Sequence, residues 1–357
     1  NFAPRPGAIP GTITASATSF TTFNFWNFNA GATQLIYDFG QTDGRYRAAS
    51  ANQESFKASE RTSLNLALLG VRTAYFQARA QKALVMVAAD TLTNQREHLA
   101  QVDAQFKVGQ RAQIDVVQAR TNVANARVTL TNAKNAYEIA KSQLNQAMGV
   151  EGDTDFEVAE DELGSVEGED QPARYLVAKA VMTRPELAAY AWQYEAQLRT
   201  IRSLEGGYGP SIAATTSATE IGVELGSLVP NWSGGATVTW PIFQGGLTRG
   251  QVHEAEANLD GIVAQSAAER LQIGVDVNQG RSAVRAAKEN IGATEEALTS
   301  AREQLLLAER RYATGLGNII ELSDAQVAVT SAAAQAVQAH FNLSTGRAQL
   351  LNALGGR

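Results

Sequence analysis

Displaced by 206 positions, the sequence falls on itself without a gap, residues 26–149 onto residues 232–355. Trp26 meets Trp232, Gly40 meets Gly246, Gly44 meets Gly250, Arg79 meets Arg285, Leu92 meets Leu298, Gly109 meets Gly315, Leu144 meets Leu350 and Gly149 meets Gly355. The period is far beyond the roughly 20–50 residues of a stacked solenoid repeat, so the chain must fold as two large copies of one unit.

Behind a Gly-marked turn, Phe39-Gly40 in one copy and Gly245-Gly246 in the other, each unit runs into a long Ala-rich stretch without proline. Apolar or small residues return every three or four positions, at Val85, Ala88, Leu92, Leu99, Val102 and Phe106, with Gln95 in the same stripe. The second copy repeats the spacing at Ile291, Thr294, Leu298, Ala301, Leu305, Ala308 and Tyr312. This is a coiled-coil period. At about 1.5 Å per residue, a helix from Tyr46 to Phe106 reaches about 90 Å, longer than a single globular domain. The helix is expected to turn back at Lys107-Val108-Gly109, and at Ala313-Thr314-Gly315 in the copy, with a returning helix ending at Gly149 or Gly355.

Ahead of these helices lie two windows without Asp, Glu, Lys or Arg, from Pro6 to Tyr37 and from Leu225 to Thr248. They are rich in Thr, Ser, Gly and Ala and carry aromatics, with period-2 alternation in Ala236, Val238, Trp240 and Ile242 against Thr237, Thr239 and Pro241. Each reads as a hairpin, Gly11–Phe20 with Trp26–Tyr37 and Ser211–Ile221 with Trp232–Phe243. Strands of about 9–11 residues suit a tilted crossing of a bilayer, and aromatics near their ends suit interfacial girdles. A soluble β-sandwich layer with a Ser/Thr surface is the alternative. The missing charge favours the barrel wall, because a solvated face would carry Lys and Glu.

Composition closes other routes. With no Cys there are no thiolate metal sites, thiol nucleophiles or disulfides, and three His, at 98, 253 and 340, leave little imidazole chemistry. A net charge of −6 argues against a nucleic-acid binder. No apolar run approaches the ~20 residues of a spanning helix, and the first residues do not read as a signal segment. His253-Glu254 lacks the second His of a zinc-protease helix, and no Gly-rich loop precedes a Lys-Ser/Thr pair, so no enzyme and no cofactor is expected.

Between the copies, Glu151 to Asp170 holds ten acidic residues and no basic one, which reads as a solvated linker. One helix is expected from Ala173 through Arg184-Pro185-Glu186-Leu187 to about Leu204. The first copy lacks this helix, since only nine residues precede Pro10; a truncated start or a lost upstream segment would account for it. The expected organisation is therefore a first hairpin over 1–44, a helical hairpin over 45–150, an acidic linker over 151–172, a helix over 173–207, a second hairpin over 208–248 and a second helical hairpin over 249–357.

Specific words accompany this layout: Thr33-Gln34-Leu35-Ile36-Tyr37-Asp38-Phe39-Gly40 and its partner Thr239-Trp240-Pro241-Ile242-Phe243-Gln244-Gly245-Gly246, the Arg184-Pro185-Glu186-Leu187 start, and the turns Phe106-Lys107-Val108-Gly109 and Tyr312-Ala313-Thr314-Gly315. Together they resemble the TolC-like outer-membrane efflux proteins over essentially the whole chain. The resemblance implies a mainly α fold with a transmembrane β-barrel portion: a homotrimer giving a 12-stranded barrel in outer-membrane lipid, continuous with a periplasmic α-helical tunnel. It also implies a duct serving a tripartite efflux pump or type I secretion system, with a periplasmic adaptor (membrane fusion) protein and an inner-membrane pump or ABC transporter as partners. A soluble coiled-coil structural or adaptor protein of the periplasm is the competing reading.

By the same resemblance the helical tips form an iris. Glu321 and Asp324 match the family's acidic constriction; an i, i+3 pair on one helix face, tripled by symmetry, would favour cations. Two solvated carboxylates near a helix start are the plainer alternative. Gly317 stands where the family often has a latch arginine, leaving Tyr312 and Asp115 as latch members and Arg111 as a substitute cation. Val108, Gly109, Gly315 and Leu316 are the tip-turn candidates for adaptor contact, and Trp26, Phe28, Tyr37, Trp232 and Trp240 the candidates for the membrane aromatic belt.

Overall fold

The computed structural model describes residues 24–161 and 163–356. The expected first strand, Gly11–Phe20, lies outside them. In chain order the elements are β1 (Trp26–Tyr37), α1 (Gln41–Lys107), α2 (Gln113–Met148), α3 (Ala173–Thr183), α4 (Pro185–Glu205), β2 (Ser211–Gly222), β3 (Val229–Thr239), α5 (Leu247–Ala313) and α6 (Ile319–Ala353). The chain divides into two units, one of residues up to Arg45 with Ile201–His253, the other of Tyr46–Thr200 with Glu254–Arg357.

The duplication survives in the backbone. α1 and α5 are both 67 residues long and begin and end 206 positions apart. Their boundary turns share left-handed backbone: Gly40 at φ 89° and Gly246 at 87°, Gly109 at 77° and Gly315 at 78°, Gly149 at 68° and Gly355 at 73°. Phe39, at φ 55°, matches Gly245 at 59° even though it carries a side chain. That conformation costs a non-glycine residue about 1–2 kcal/mol. Packing offsets it: the ring lies 4.9 Å from that of Tyr37, and a Cβ on Gly209 would sit only 2.5 Å from Phe39 Cγ.

In the sheet unit the order is β1-β2-β3, antiparallel throughout. The register sets Trp26 against Gly222 and Thr33 against Thr215, with an irregularity at Ile36 between Leu35 and Tyr37. β3 starts and stops earlier than the expected Trp232–Phe243. Pro241 has no N–H for a ladder, and the Trp240 indole donates to the Tyr208 carbonyl at 3.1 Å. Past the strand, Asp38 caps α1, accepting from the Thr42 amide at 2.8 Å and the Thr42 hydroxyl at 2.6 Å. Burial acts to raise its pKa, but the Thr42 bonds and Arg45 prevail and hold it below the ordinary carboxylate value. Gln244 with Thr248 occupies the same place in the second copy, joined at 3.0 Å.

In the helical unit the seam stripe is buried at Ala88, Leu92, Gln95, Val102, Ala301, Ala308 and Tyr312. Phe106 departs from it, 39% exposed where the coil ends. The expected helix over 173–204 is two helices: Pro185 starts α4, and the residue before it, Arg184, is extended at φ −71°, ψ 127°. Arg184 is buried and answers Asp276 at 2.7 Å and Glu186 at 3.2 Å. The core beneath joins Val166, Leu176, Ile273, Val277, Val284 and Leu350.

The acidic segment is only partly the solvated linker expected. Most of its carboxylates are exposed, but Val158, Val166 and Glu169 are buried. Glu169 takes two bonds from the Arg347 guanidinium, each 3.1 Å, an ion pair with Lys288 at 2.7 Å and the Val166 amide at 2.9 Å. Burial pushes its pKa up, yet the Arg347 and Lys288 hydrogen bonds outweigh that and bring it to about 2.

Candidate functional site

The helical tip has a core of its own. Val102 and Val116 meet Ala308, Tyr312, Leu322 and Ala325, with Leu99, Leu305 and Ile319 around them. Tyr312, 1% exposed, is among the largest fully buried side chains and packs against two cation-capable groups. The Arg111 guanidinium stacks 3.8 Å from its ring centroid and donates to its backbone carbonyl, while Arg111 Nε reaches Gln105 at 3.2 Å. His98 meets the same ring edge-on, centroids 5.4 Å apart. Burial raises the Tyr312 pKa against the pull of Arg111, with Asp115 adding to the rise. Burial and then Arg111 lower that of His98, with Asp115 opposing.

Arg111 and Tyr312 are thus brought together, with Asp115 half-buried in the first turn of α2. Glu321 lies elsewhere on the tip: its amide donates to Asn318 Oδ1 at 2.7 Å, capping α6, and its carboxylate pairs with Arg311 at 3.1 Å. Asp324 is exposed one turn on. Gly317 closes the turn, its amide and that of Leu316 both donating to the Arg311 carbonyl at 2.9 Å. A Cβ there would stand 3.1 Å from Arg311 Cβ and from the Tyr312 amide nitrogen, so the turn is tight against any side chain. Val108 and Leu316 are exposed beside Gly109 and Gly315.

Sequence reasoning missed Arg311 and His98. The first stands ten residues before Glu321, across a turn whose closure no helical spacing shows. His98 could have been found, because it lies three residues after Gln95 and one before Leu99, next to the seam stripe. Further along the coil, Gln95 donates to Gln326 at 2.8 Å and the Thr91 and Thr330 hydroxyls meet at 3.2 Å, a polar layer between α1 and α6.

The sheet is the second site. Every residue of β1 and β3 is exposed, including Phe28 at 50% and Trp232 at 74%. Trp26 and Phe28 stand near one end of the ladder, with Trp232 level with Ala30; Tyr37 and Trp240 stand at the other end, where Tyr37 pairs with Ile212 and Trp240 reaches Tyr208. Twelve residues at about 3.3 Å each, tilted by about 45°, span about 28 Å, close to a bilayer's hydrocarbon thickness. Among the described residues no cluster of three acidic or His side chains is placed to hold a metal, and no helix is long and apolar enough to cross a membrane.

A three-stranded sheet with both outer strands exposed, carried in one chain with two helices of 67 residues, is the fold of an outer-membrane channel protein with a barrel portion and a helical tunnel. The family model described as outer membrane efflux protein matches residues 11–150 and 176–356, and the chain belongs to that family. The solvent efflux pump outer membrane protein SrpC of Pseudomonas putida is 29% identical over 328 residues, 88% of this chain and 68% of its own. The fold is that of the CusC crystal structure, TM-score 0.81 at 20% identity over 94% of this chain and 79% of that one. It is also that of VceC from Vibrio cholerae, TM-score 0.78 at 18% identity over 93% and 87%. The protein is an exit duct of efflux machinery in the outer membrane and periplasm of a Gram-negative bacterium, and the soluble adaptor reading is set aside.

Proposed function

We propose that three copies of the chain close one 12-stranded barrel, and that the helical tips form a gate which an adaptor and an inner-membrane pump engage. The sheet carries this reading. In the order β1-β2-β3, the outer edge of β3 has no strand beside it among the described residues, and both outer strands expose apolar side chains along their length. An open edge is not tolerated in hydrocarbon, where backbone N–H and C=O groups find no water. Further chains are the economical way to close it.

At the tip, Glu321 and Asp324 supply the acidic constriction, with Glu321 held in place by Arg311. Arg111 takes the part of the missing latch arginine by tying the α1–α2 turn to Tyr312. Val108, Gly109, Gly315 and Leu316 present the turns to the adaptor. The test is planar-bilayer conductance of the detergent-purified chain after its mass in detergent has been measured. A trimer with cation-selective current, losing selectivity and divalent block when Glu321 and Asp324 become Ala, is expected. A monomer, or unchanged selectivity in the double variant, would remove the gate assignment.

A further inference from the structure

The ring of Tyr312 has a permanent cation 3.8 Å from its centroid and, 5.4 Å away, an imidazole with no hydrogen-bond partner at one of its nitrogens. His98 is 6% exposed, and its Nε2 is buried without a hydrogen bond, as is the Tyr312 hydroxyl. A buried polar atom left unpaired is costly, and a native structure that keeps one gives reason to ask what uses it. Beside the pair lies a solvent-open pocket of about 450 Å³, lined by His98, Tyr312, Gln101, Leu322 and Gln326, from which water can reach the buried His98 nitrogen and Tyr312 hydroxyl once the tip loosens.

We propose that the Arg111–Tyr312–His98 stack is an acid-sensitive latch: proton uptake by His98 frees the α1–α2 turn from the end of α5 and loosens the tip. The reasoning rests on the reading of the tip as a gate and adds its regulation. Neutral imidazole packs edge-on against Tyr312 at no charge cost. Imidazolium would be a second cation beside Arg111 in a water-poor cluster, where like charges repel strongly. The charges facing His98 are few. From α2, Asp115 favours the proton; from the turn, Arg111 opposes it. Along the cavity, α5 offers Glu309 and Arg310, of opposite sign, α1 itself offers Glu97, and α6 offers only the uncharged Leu322 and Gln326. Burial and Arg111 prevail over Asp115 in the closed tip. A proton therefore selects whichever state exposes His98 to water, and that is the loosened one.

The sign follows from linkage. His98 binds protons more weakly in the closed tip, so the closed state is favoured at neutral and alkaline pH and loses ground as pH falls through the ordinary imidazole range. The loosened population rises by up to about tenfold for each unit by which the two states' His98 pKa values differ.

Hydrogen–deuterium exchange of the detergent-purified full chain, corrected for intrinsic rates, reads the tip directly. Between pH 7.5 and 5.5 (chosen to bracket an imidazole pKa of about 6.5), amides over 99–112 and 310–322 are expected to gain exchange in the wild type and to stay flat in His98→Gln. Exchange at the imidazole C2 position of His98, measured by mass spectrometry on the unmodified chain, is expected to titrate below the ordinary value of about 6.5. A wild-type tip indifferent to pH, a His98→Gln chain with the same rise, or a His98 titrating at or above the ordinary value would each overturn the latch. Should exchange follow His98 while bilayer conductance does not, the latch stands and the reading of the tip as the conduction gate falls.

Discussion

Glu169 is nearly enclosed, its side chain 3% exposed, and two cations from different helices converge on it. Its folded pKa of about 2 lies below the unfolded carboxylate value of about 4.3. A depressed carboxylate contributes stability that is complete above the unfolded value and is lost as pH falls through the folded one. The contribution at neutral pH is about 3 kcal/mol. Glu169→Gln is therefore expected to be less stable than wild type at pH 7, by about that amount, with the gap closing towards pH 2. Thermal melts followed by far-UV circular dichroism across this range check it; a gap that does not change with pH would count against the ion-pair account. Arg184 is a buried cation, its pKa held above the ordinary value by Asp276 and Glu186 against the cost of burial.

At the scale of elements, helix contacts in this molecule are set by small residues at chosen places. Where α1 leaves its cap, Gly44 meets α4: a Cβ would lie 2.7 Å from Ser203 Cβ and 2.9 Å from Ser203 Cα. Backbone cannot yield as a flexible side chain can. Gly44→Ala should cost about 1–3 kcal/mol by overpacking. Gly292, exposed in the middle of α5 with no atom within 4 Å of a built Cβ, should behave in the opposite way, Gly292→Ala gaining up to about 1 kcal/mol of helix propensity. The two melting shifts, of opposite sign, form one measurement. Equal shifts would show that helix propensity, and not the approach of α1 to α4, governs both sites.

On the scale of the whole molecule, membrane residence makes a prediction about the four tryptophans. Trp26, Trp232 and Trp240 stand on or beside the sheet, whereas Trp192 lies within α4 in the helical unit. In liposomes, brominated lipid should quench the emission of single-Trp variants retaining Trp26, Trp232 or Trp240 and leave the Trp192-only variant near its unquenched level. Quenching of Trp192 alone, or of none, would contradict a bilayer-embedded sheet.

The primary structure determined the plan of this protein: a 206-residue duplication, an unbroken 3.5-residue stripe and two charge-free windows each follow from local pattern, because helix period, strand alternation and charge exclusion are written residue by residue. Even the left-handed turns were legible at Gly109 and Gly315, since glycine marks them; Phe39 was not, because its conformation is held by a ring packed over Gly209 from another element. Glu321, Tyr312 and Arg111 could be singled out in the sequence, but the contacts that join them to Arg311, to His98 and to one another could not. Arg311 reaches Glu321 only through a closed turn, and His98 and Arg111 reach Tyr312 only because the first helical turn-back and the end of α5, distant along the chain, pack into one tip. Likewise ten acidic residues looked alike until folding buried one of them between Arg347 and Lys288. Local spacing fixes which elements form; burial and the charges that meet across elements depend on three-dimensional proximity, which is where the packing around Tyr312 and the shifted titrating groups were decided.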